Sequence, residues 1–479
     1  MGSRSTPILH SVRQLTLAQL EDRFAPLLPP SLLPQNPTGD YSRERIFTLA
    51  RTFFCWLWQI LQANTSCREV VRQVQALFAL QAAGPIDEAT GAYCQARCKL
   101  PLPLLESLFA LTSQAIQTSA PALAQTLLQG RPVRVADGSG TRLPDTPKNR
   151  HDYPPSKNLR AHTGLPFLRI VGLLCLASGV LLAQATGSLH AGELRLFVSL
   201  LSHLQPKDIL LGDRAYGSYI VIVLLQAIGV DLIARVPTGS RRVDFRKAKQ
   251  RLALQDALFV WDKPSKASPL VSLQQWLGLP AQVEVRILRV RLQRRGFRTQ
   301  QLTLVTTLLD AQLYPAEQII MVHARRWRME LCLRDLKATL SMGRLSCQSP
   351  QMAKKELLMF LIAHNLLRWL IVQAAQHGNV ELERISFKGS LDAFRQWTQA
   401  MAMRRGPRNH RRRAQLWEEL LRTLVADALP DRPGRVEPRT VRTRSKYPYM
   451  NRPRHQYVGR MSRNDRRVIA NAKKNAALN

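Results

Sequence analysis

Residues 166–188 read PFLRIVGLLCLASGVLLAQATGS. The run divides at Ser178-Gly179 into two apolar stretches, and that turn signal predicts a β-hairpin. Upstream, VRVAD (133–137) predicts a strand ending at Asp137. Downstream, AGELRLFVSLLSHL (191–204) reads as a helix and KDILLGD (207–213) as a strand ending at Asp213. SYIVIVLLQAIG (218–229) suits helix or strand by composition, and its length and the stop at Gly229 favour helix. VDLIARV (230–236) is another strand. Three strands, helix, strand, helix, strand specify a mixed α/β sheet.

The chain has 479 residues, enough for about three domains. Its 69 basic and 33 acidic residues give a net charge of +36. Such an excess repels itself unless a polyanion offsets it, which points to nucleic acid first and an anionic membrane surface second. The most apolar helical stretch, LLMFLIAHNLLRWLIVQAA (357–375), is interrupted by His364, Asn365 and Arg368 and reads as a core helix, not a span. No charged segment followed by an apolar one opens the chain, and the opening MGSRST fits a myristoylation pattern only loosely. Seven scattered cysteines suggest a reducing cytoplasm without a disulfide framework. Cys94 and Cys98 lack a second pair at zinc-site spacing and read as packing residues.

Residues 1–128 predict a basic helical region compatible with DNA binding, including a capping box from Ser66 to Glu69. Residues 129–236 and 301–345 form two parts of one α/β core, the second opening on the strand LTLVTTLL (302–309). Between them, 237–300 is a basic, β-rich insertion containing VEVRILRVRLQ (283–293), a half-exposed strand with arginines on one face. Its runs at Arg241-Arg242 and Arg294-Arg295 suit either solvated loops or DNA contacts. Residues 346–430 predict a helical C-terminal region, and 431–479 a basic tail that reads as disordered when free.

The stretch HARRWRMELCLRDLK (323–337) follows the restored strand. On one continuous helix, His323, Arg326, Glu330 and Lys337 fall within an arc of about 60°. Met329, Leu333, Leu336 and Leu340 form the adjoining apolar stripe, so the ionic row would face outward while the helix packs on a core. Intrahelical ion pairing of Arg326 with Glu330 accounts for the row alone. With Asp137 and Asp213 at strand ends of the same sheet, Glu330 becomes a third carboxylate at the place where sites gather. Three hard oxygen ligands suit a pair of Mg²⁺ ions, with Mn²⁺ able to substitute, for in-line phosphodiester displacement.

VADGSG (135–140), GDRAY (212–216) and the helix motif together resemble the D-D-E transposases of the insertion-sequence-four type. That family's helix signature is tyrosine, two residues, arginine, three, glutamate, six, lysine; it falls here on His323, Arg326, Glu330 and Lys337, with the tyrosine replaced. The resemblance implies a ribonuclease-H-like mixed sheet flanked by helices and interrupted by the β-rich insertion. It implies Asp137, Asp213 and Glu330 as catalytic and metal-binding residues, and His323, Arg326, Lys337, Arg214 and Tyr216 as contacts to DNA phosphates. It further implies double-stranded DNA as partner, both terminal inverted repeats and target, and a homodimer in the synaptic complex of a bacterial cytoplasmic protein. A DNA-binding derivative without chemistry, and a metal-dependent nuclease without strand transfer, share these features.

Overall fold

Helix α1 (Leu49–Leu61) starts where the Thr48 hydroxyl accepts the Arg51 N–H, and it buries Phe53, Phe54, Trp56 and Leu57 almost completely. The expected capping box opens α2 (Cys67–Ala79): Ser66 N–H donates to Glu69 at 2.9 Å and Glu69 N–H to the Ser66 hydroxyl at 3.2 Å. Helices α3 (Gly91–Lys99) and α4 (Leu102–Ser119) follow. The computed structural model describes residues 45–62, 64–79, 84–119, 128–155, 164–237, 243–292, 300–402 and 410–430, with isolated positions between 24 and 42. The tail from 431, Arg241, Arg242, Arg294 and Arg295 lie outside the described residues.

The sheet begins with β1 (Val133–Arg142), followed by α5 (Pro147–Asp152), β2 (Phe167–Cys175) and β3 (Leu181–Ser188). Then come α6 (Glu193–Val198), β4 (Ile209–Gly212), α7 (Tyr219–Gln226) and β5 (Asp231–Arg235). The hairpin turns at Ser178-Gly179 as its sequence indicates. Gly179 has φ +71°, and a Cβ there would stand 2.4 Å from the Arg368 guanidinium, so the position excludes a side chain twice over. The strand order is β3-β2-β1-β4-β5, with β1–β2 and β2–β3 antiparallel and β1–β4 and β4–β5 parallel. This is the ribonuclease-H-like arrangement. Alternate residues of β4 and β5 serve opposite faces, Leu211 and Ile233 joining one core and Leu210 and Leu232 the other. Burial on both faces explains why these strands read as unbroken apolar runs.

The inserted segment is β-rich but continues the same sheet. It supplies β6 (Gln250–Ala253), β7 (Asp256–Asp262), α8 (Leu273–Leu277) and β8 (Gln282–Leu292), and β9 (Gln300–Thr306) joins them to β5. The full order runs β3-β2-β1-β4-β5-β9-β8-β7-β6. The expected exposed arginine face of β8 is corrected at Arg286, which is only 1% exposed. Its Nε donates to Asp256 at 2.8 Å and its Nη1 to the Tyr314 carbonyl at 2.7 Å, tying the extension to the loop after β9. Asp256→Ala would leave this guanidinium buried without its anion, and a loss of about 3–5 kcal/mol is expected in urea unfolding. Joint replacement with Arg286→Met should recover most of it; a single Asp256→Ala variant as stable as wild type would deny the pair this role.

After β9 the chain forms α9 (Ala316–Ala324), α10 (Trp327–Arg334), a π-helical turn (Asp335–Thr339), α11 (Pro350–Gly378), α12 (Phe387–Ala402) and α13 (His410–Ala426). The expected continuous helix over 323–337 is thereby corrected. Bonds three residues apart (Arg326 N–H to His323, Met329 N–H to Arg326, each 3.0 Å) tighten the chain at Arg325-Arg326. The π turn then widens it, Leu340 N–H reaching back to Asp335 at 2.9 Å. Met329, Leu336 and Leu340 still reach the core, while Leu333 is only partly buried. Helix α11 is the expected core helix, its most apolar window 89% buried.

Candidate active site

The parallel ladder pairs Val133 with Ile209 and Val135 with Leu211, and stops there. β4 ends at Gly212, whereas β1 runs on to Arg142. Continuing that register sets Asp137 beside Asp213, so Asp137 lies mid-strand, not at the strand end its sequence suggested. The Asp213 carboxylate accepts the Ala215 N–H at 2.8 Å, and that of Asp137 accepts the Gly138 N–H at 2.8 Å. Glu330, on α10, is joined to Asp137 through one guanidinium: Arg326 Nη2 stands 2.6 Å from Glu330 and Nη1 3.6 Å from Asp137. The three acidic residues expected from three distant segments therefore lie in one neighbourhood, Asp137 within electrostatic reach of both Asp213 and Glu330.

Burial raises the Asp137 carboxyl above the usual carboxylate range; the Gly138 N–H and Arg326 oppose this, and the charges of Asp213 and Glu330 add to it. Burial lowers the Lys337 ammonium, against the pull of Asp137, which puts Lys337 within electrostatic reach of the site. Arg235 is lowered by burial and then by Arg214 and Arg326, so three guanidiniums crowd the same rim. Arg214 itself is exposed.

Two expected phosphate contacts are placed differently. His323 is 7% exposed, its Nε2 has no hydrogen-bond partner, and burial with Arg326 and Arg235 nearby pushes its pKa down to about 4. A neutral, buried imidazole does not belong to an outward ionic row; the break at Arg325-Arg326 turns it inward. Tyr216 is fully buried, and its hydroxyl donates to Glu193 at 3.2 Å. Glu193, the first residue of α6, was missed by sequence reasoning. An acidic residue in a helix's first turn is commonplace, and nothing local marks it as more.

The donor set is all carboxylate oxygen, which suits Mg²⁺ or Mn²⁺ and not softer ions. Gly138 makes room for Glu193 on the other face of β1: a Cβ there would stand 2.4 Å from the Glu193 carboxylate carbon. Among the described residues no three His, Cys, Asp or Glu side chains close around a single ion as placed. Arg326 stands between Asp137 and Glu330 as their counter-charge.

The family model described as the transposase DDE domain matches residues 128–366, spanning β1 to the middle of α11. The transposase InsG of insertion sequence element IS4 from Escherichia coli K12 is 26% identical over 365 residues, covering 75% of this chain and 78% of the relative. The putative transposase InsZ of the same strain is 28% identical over 174 residues, 36% of this chain and 57% of the relative. The solved piggyBac transposase synaptic complex with hairpin DNA is 10% identical, at a TM-score of 0.39 over 89% of this chain and 85% of that one. On the extent of the family match and the identity to the IS4 enzyme, the chain belongs to the DDE transposases of the insertion-sequence-four type.

Proposed function

We propose that this protein binds the terminal inverted repeats of an insertion sequence and cuts and rejoins DNA there, with divalent metal held by Asp137, Asp213 and Glu330. The observation that carries this reading is the meeting of those carboxylates with Arg326 and Lys337 in a chain of net charge +36. Asp137, Asp213 and Glu330 would hold the divalent ions, which would supply activation of the attacking water or 3′-hydroxyl and charge stabilisation of the leaving oxygen. The chain's own cations orient the substrate: Arg214, Arg326 and Lys337 take phosphate oxygens and fix the scissile bond in line. Moving from carboxylates to a phosphate keeps the Arg326 guanidinium paired throughout, since one anion replaces another.

The test combines the full-length protein with a duplex carrying the element's end, and maps the cuts with and without Mg²⁺. Cuts at the repeat boundary that require the metal are expected; cutting in its absence would defeat the mechanism. DNA affinity should also fall by roughly 10³-fold between 50 and 200 mM salt if six or more phosphates are neutralised. A nearly flat salt dependence would detach the charge excess from nucleic acid.

A further inference from the structure

We propose that the cavity behind α10 is a phosphate-binding site, separate from the carboxylates on the other side of that helix. The cavity encloses about 570 Å³ between α10, the π turn, α11 and the start of α12. That volume suits a small ligand. Arg328, Leu331 and Asp335 line it, which sets it across the helix from Arg326, Glu330 and Lys337. The site therefore stands whether or not the carboxylates hold metal.

Five cations meet in its wall, Arg325, Arg328, Arg334, Arg368 and Lys388, against two acids, Asp335 and Glu383. Both acids are already engaged, Glu383 with Arg328 at 3.3 Å and Asp335 with Arg334 at 3.6 Å. Lys388 is held at 2.5 Å by Asp392, outside the wall. Among the described residues Arg325 and Arg368 form no ion pair. Arg368 gives Nε and Nη2 to the Ser178 carbonyl, at 3.1 and 2.8 Å, a neutral partner that leaves its charge unanswered. Burial lowers this guanidinium to about 10 and the charge of Arg328 adds to the effect, while Asp335 and two cysteine thiols oppose it only in part. Burial also lowers Arg328, with Glu383 opposing and Arg325 adding. Guanidiniums that repel one another in a partly buried space gain from an anion placed between them.

The donors suit phosphate in particular. Helix α12, 16 residues long, begins in the same wall at Phe387 and Lys388, and its first turn adds backbone N–H donors and partial positive charge. A tetrahedral oxyanion accepts from several directions at once, which matches guanidinium forks arriving from α10 and α11. Leu331, Leu382, Ile385 and Phe387 complete the wall, and apolar surroundings strengthen each charge interaction. A phosphate group can arrive in two ways. It is either the backbone of DNA laid over the exposed Arg325, Arg334 and Lys388 at the rim, or a free phosphate ion or ester.

The probe is inorganic phosphate on the full-length protein without DNA, at constant ionic strength made up with NaCl. Binding is followed by titration calorimetry and by thermal unfolding. Wild type should show a saturable site and a stabilisation that tracks its occupancy. Joint Arg325→Gln and Arg328→Gln replacement should weaken phosphate at least about 10-fold, since two charged hydrogen-bond donors are lost. Lys337→Ala, across the helix, should leave the affinity within about twofold. Arg325→Gln alone changes an exposed side chain, serves if the double variant fails to fold, and should weaken phosphate about threefold. Phosphate binding kept in the arginine variants but lost in Lys337→Ala would put the anion at the catalytic rim and overturn the proposal. So would a stabilisation by phosphate no greater than that of NaCl at equal ionic strength. A short duplex then separates the two sources. Backbone phosphate in the cavity predicts that duplex displaces inorganic phosphate, and that the double variant weakens duplex binding alike for every sequence. A free ion or ester predicts that phosphate and duplex bind together, with duplex affinity in the double variant held within about twofold.

Discussion

Replacing Asp137 or Asp213 by asparagine, or Glu330 by glutamine, is expected to lower DNA cleavage and joining about 10⁴-fold, the scale on which removing one member of a cooperating catalytic set acts. Each change keeps the side chain's size and removes one negative charge, so a divalent pair loses an anionic ligand. DNA binding should hold or strengthen, because each variant is one charge more positive than a chain already at +36. Glu330→Gln carries a second consequence. It breaks the 2.6 Å pair with Arg326 and leaves that guanidinium facing Asp137 alone. Repeat binding and cleavage are to be measured side by side on the three variants. Wild-type cutting by any one of them would remove that residue from the site, and joint loss of cutting and binding would indicate misfolding.

The central fold was legible because strands buried on both faces leave apolar runs that few other structures produce, and because Ser178-Gly179 and Gly229 mark their ends. Asp213 was legible at the end of such a run, whereas Asp137 was read as a strand end because Asp-Gly resembles a turn, and the strand in fact continues through it to Arg142. Glu330 was legible through its spacing to Arg326 and Lys337. The local winding around it was not: a periodic stripe fits a straight helix, a tightened turn or a π turn almost equally well over four residues, and tertiary contact selects among them. Tyr216 and His323 were misplaced for a related reason. The partner of Tyr216 lies 23 residues away on another element, and the burial of His323 follows from the break at Arg325-Arg326. Glu193 was illegible on the same ground, because its significance lies in the bare Gly138 surface across from it.

Acid should unfold this protein earlier than its carboxylates alone would cause. Two histidines are buried and neutral. Burial and Arg368 push the His364 pKa down to about 3, and burial with Arg326 and Arg235 pushes that of His323 to about 4, both from 6.5. Little around His364 favours a charge: it stacks on Phe387, with ring centroids 5.2 Å apart, Cys332 Sγ lies 3.3 Å from its Nε2, and only the Asn365 Oδ1, 3.4 Å from its Nδ1, opposes the downward shift. The unfolded chain takes up a proton at each histidine as pH falls through 6.5, while the folded chain refuses it until about 4 and 3. Their stabilisation is therefore complete above pH 6.5 and drains away below it, at about 1.4 kcal/mol per pH unit for each residue. Fully realised, the two losses reach about 8 kcal/mol, comparable with the whole stability of an ordinary domain. Asp137 and Glu193 act in the opposite sense, since burial raises both, so they flatten the net curve without reversing the histidines' contribution. Urea unfolding in metal-free buffer from pH 7 to pH 5 should show the decline. His364→Gln, itself less stable at pH 7, should decline less steeply by about 1 kcal/mol per pH unit. A wild-type stability that stays level over this range, or a slope that the glutamine variant leaves unchanged, would mean that His364 is not buried as a neutral ring.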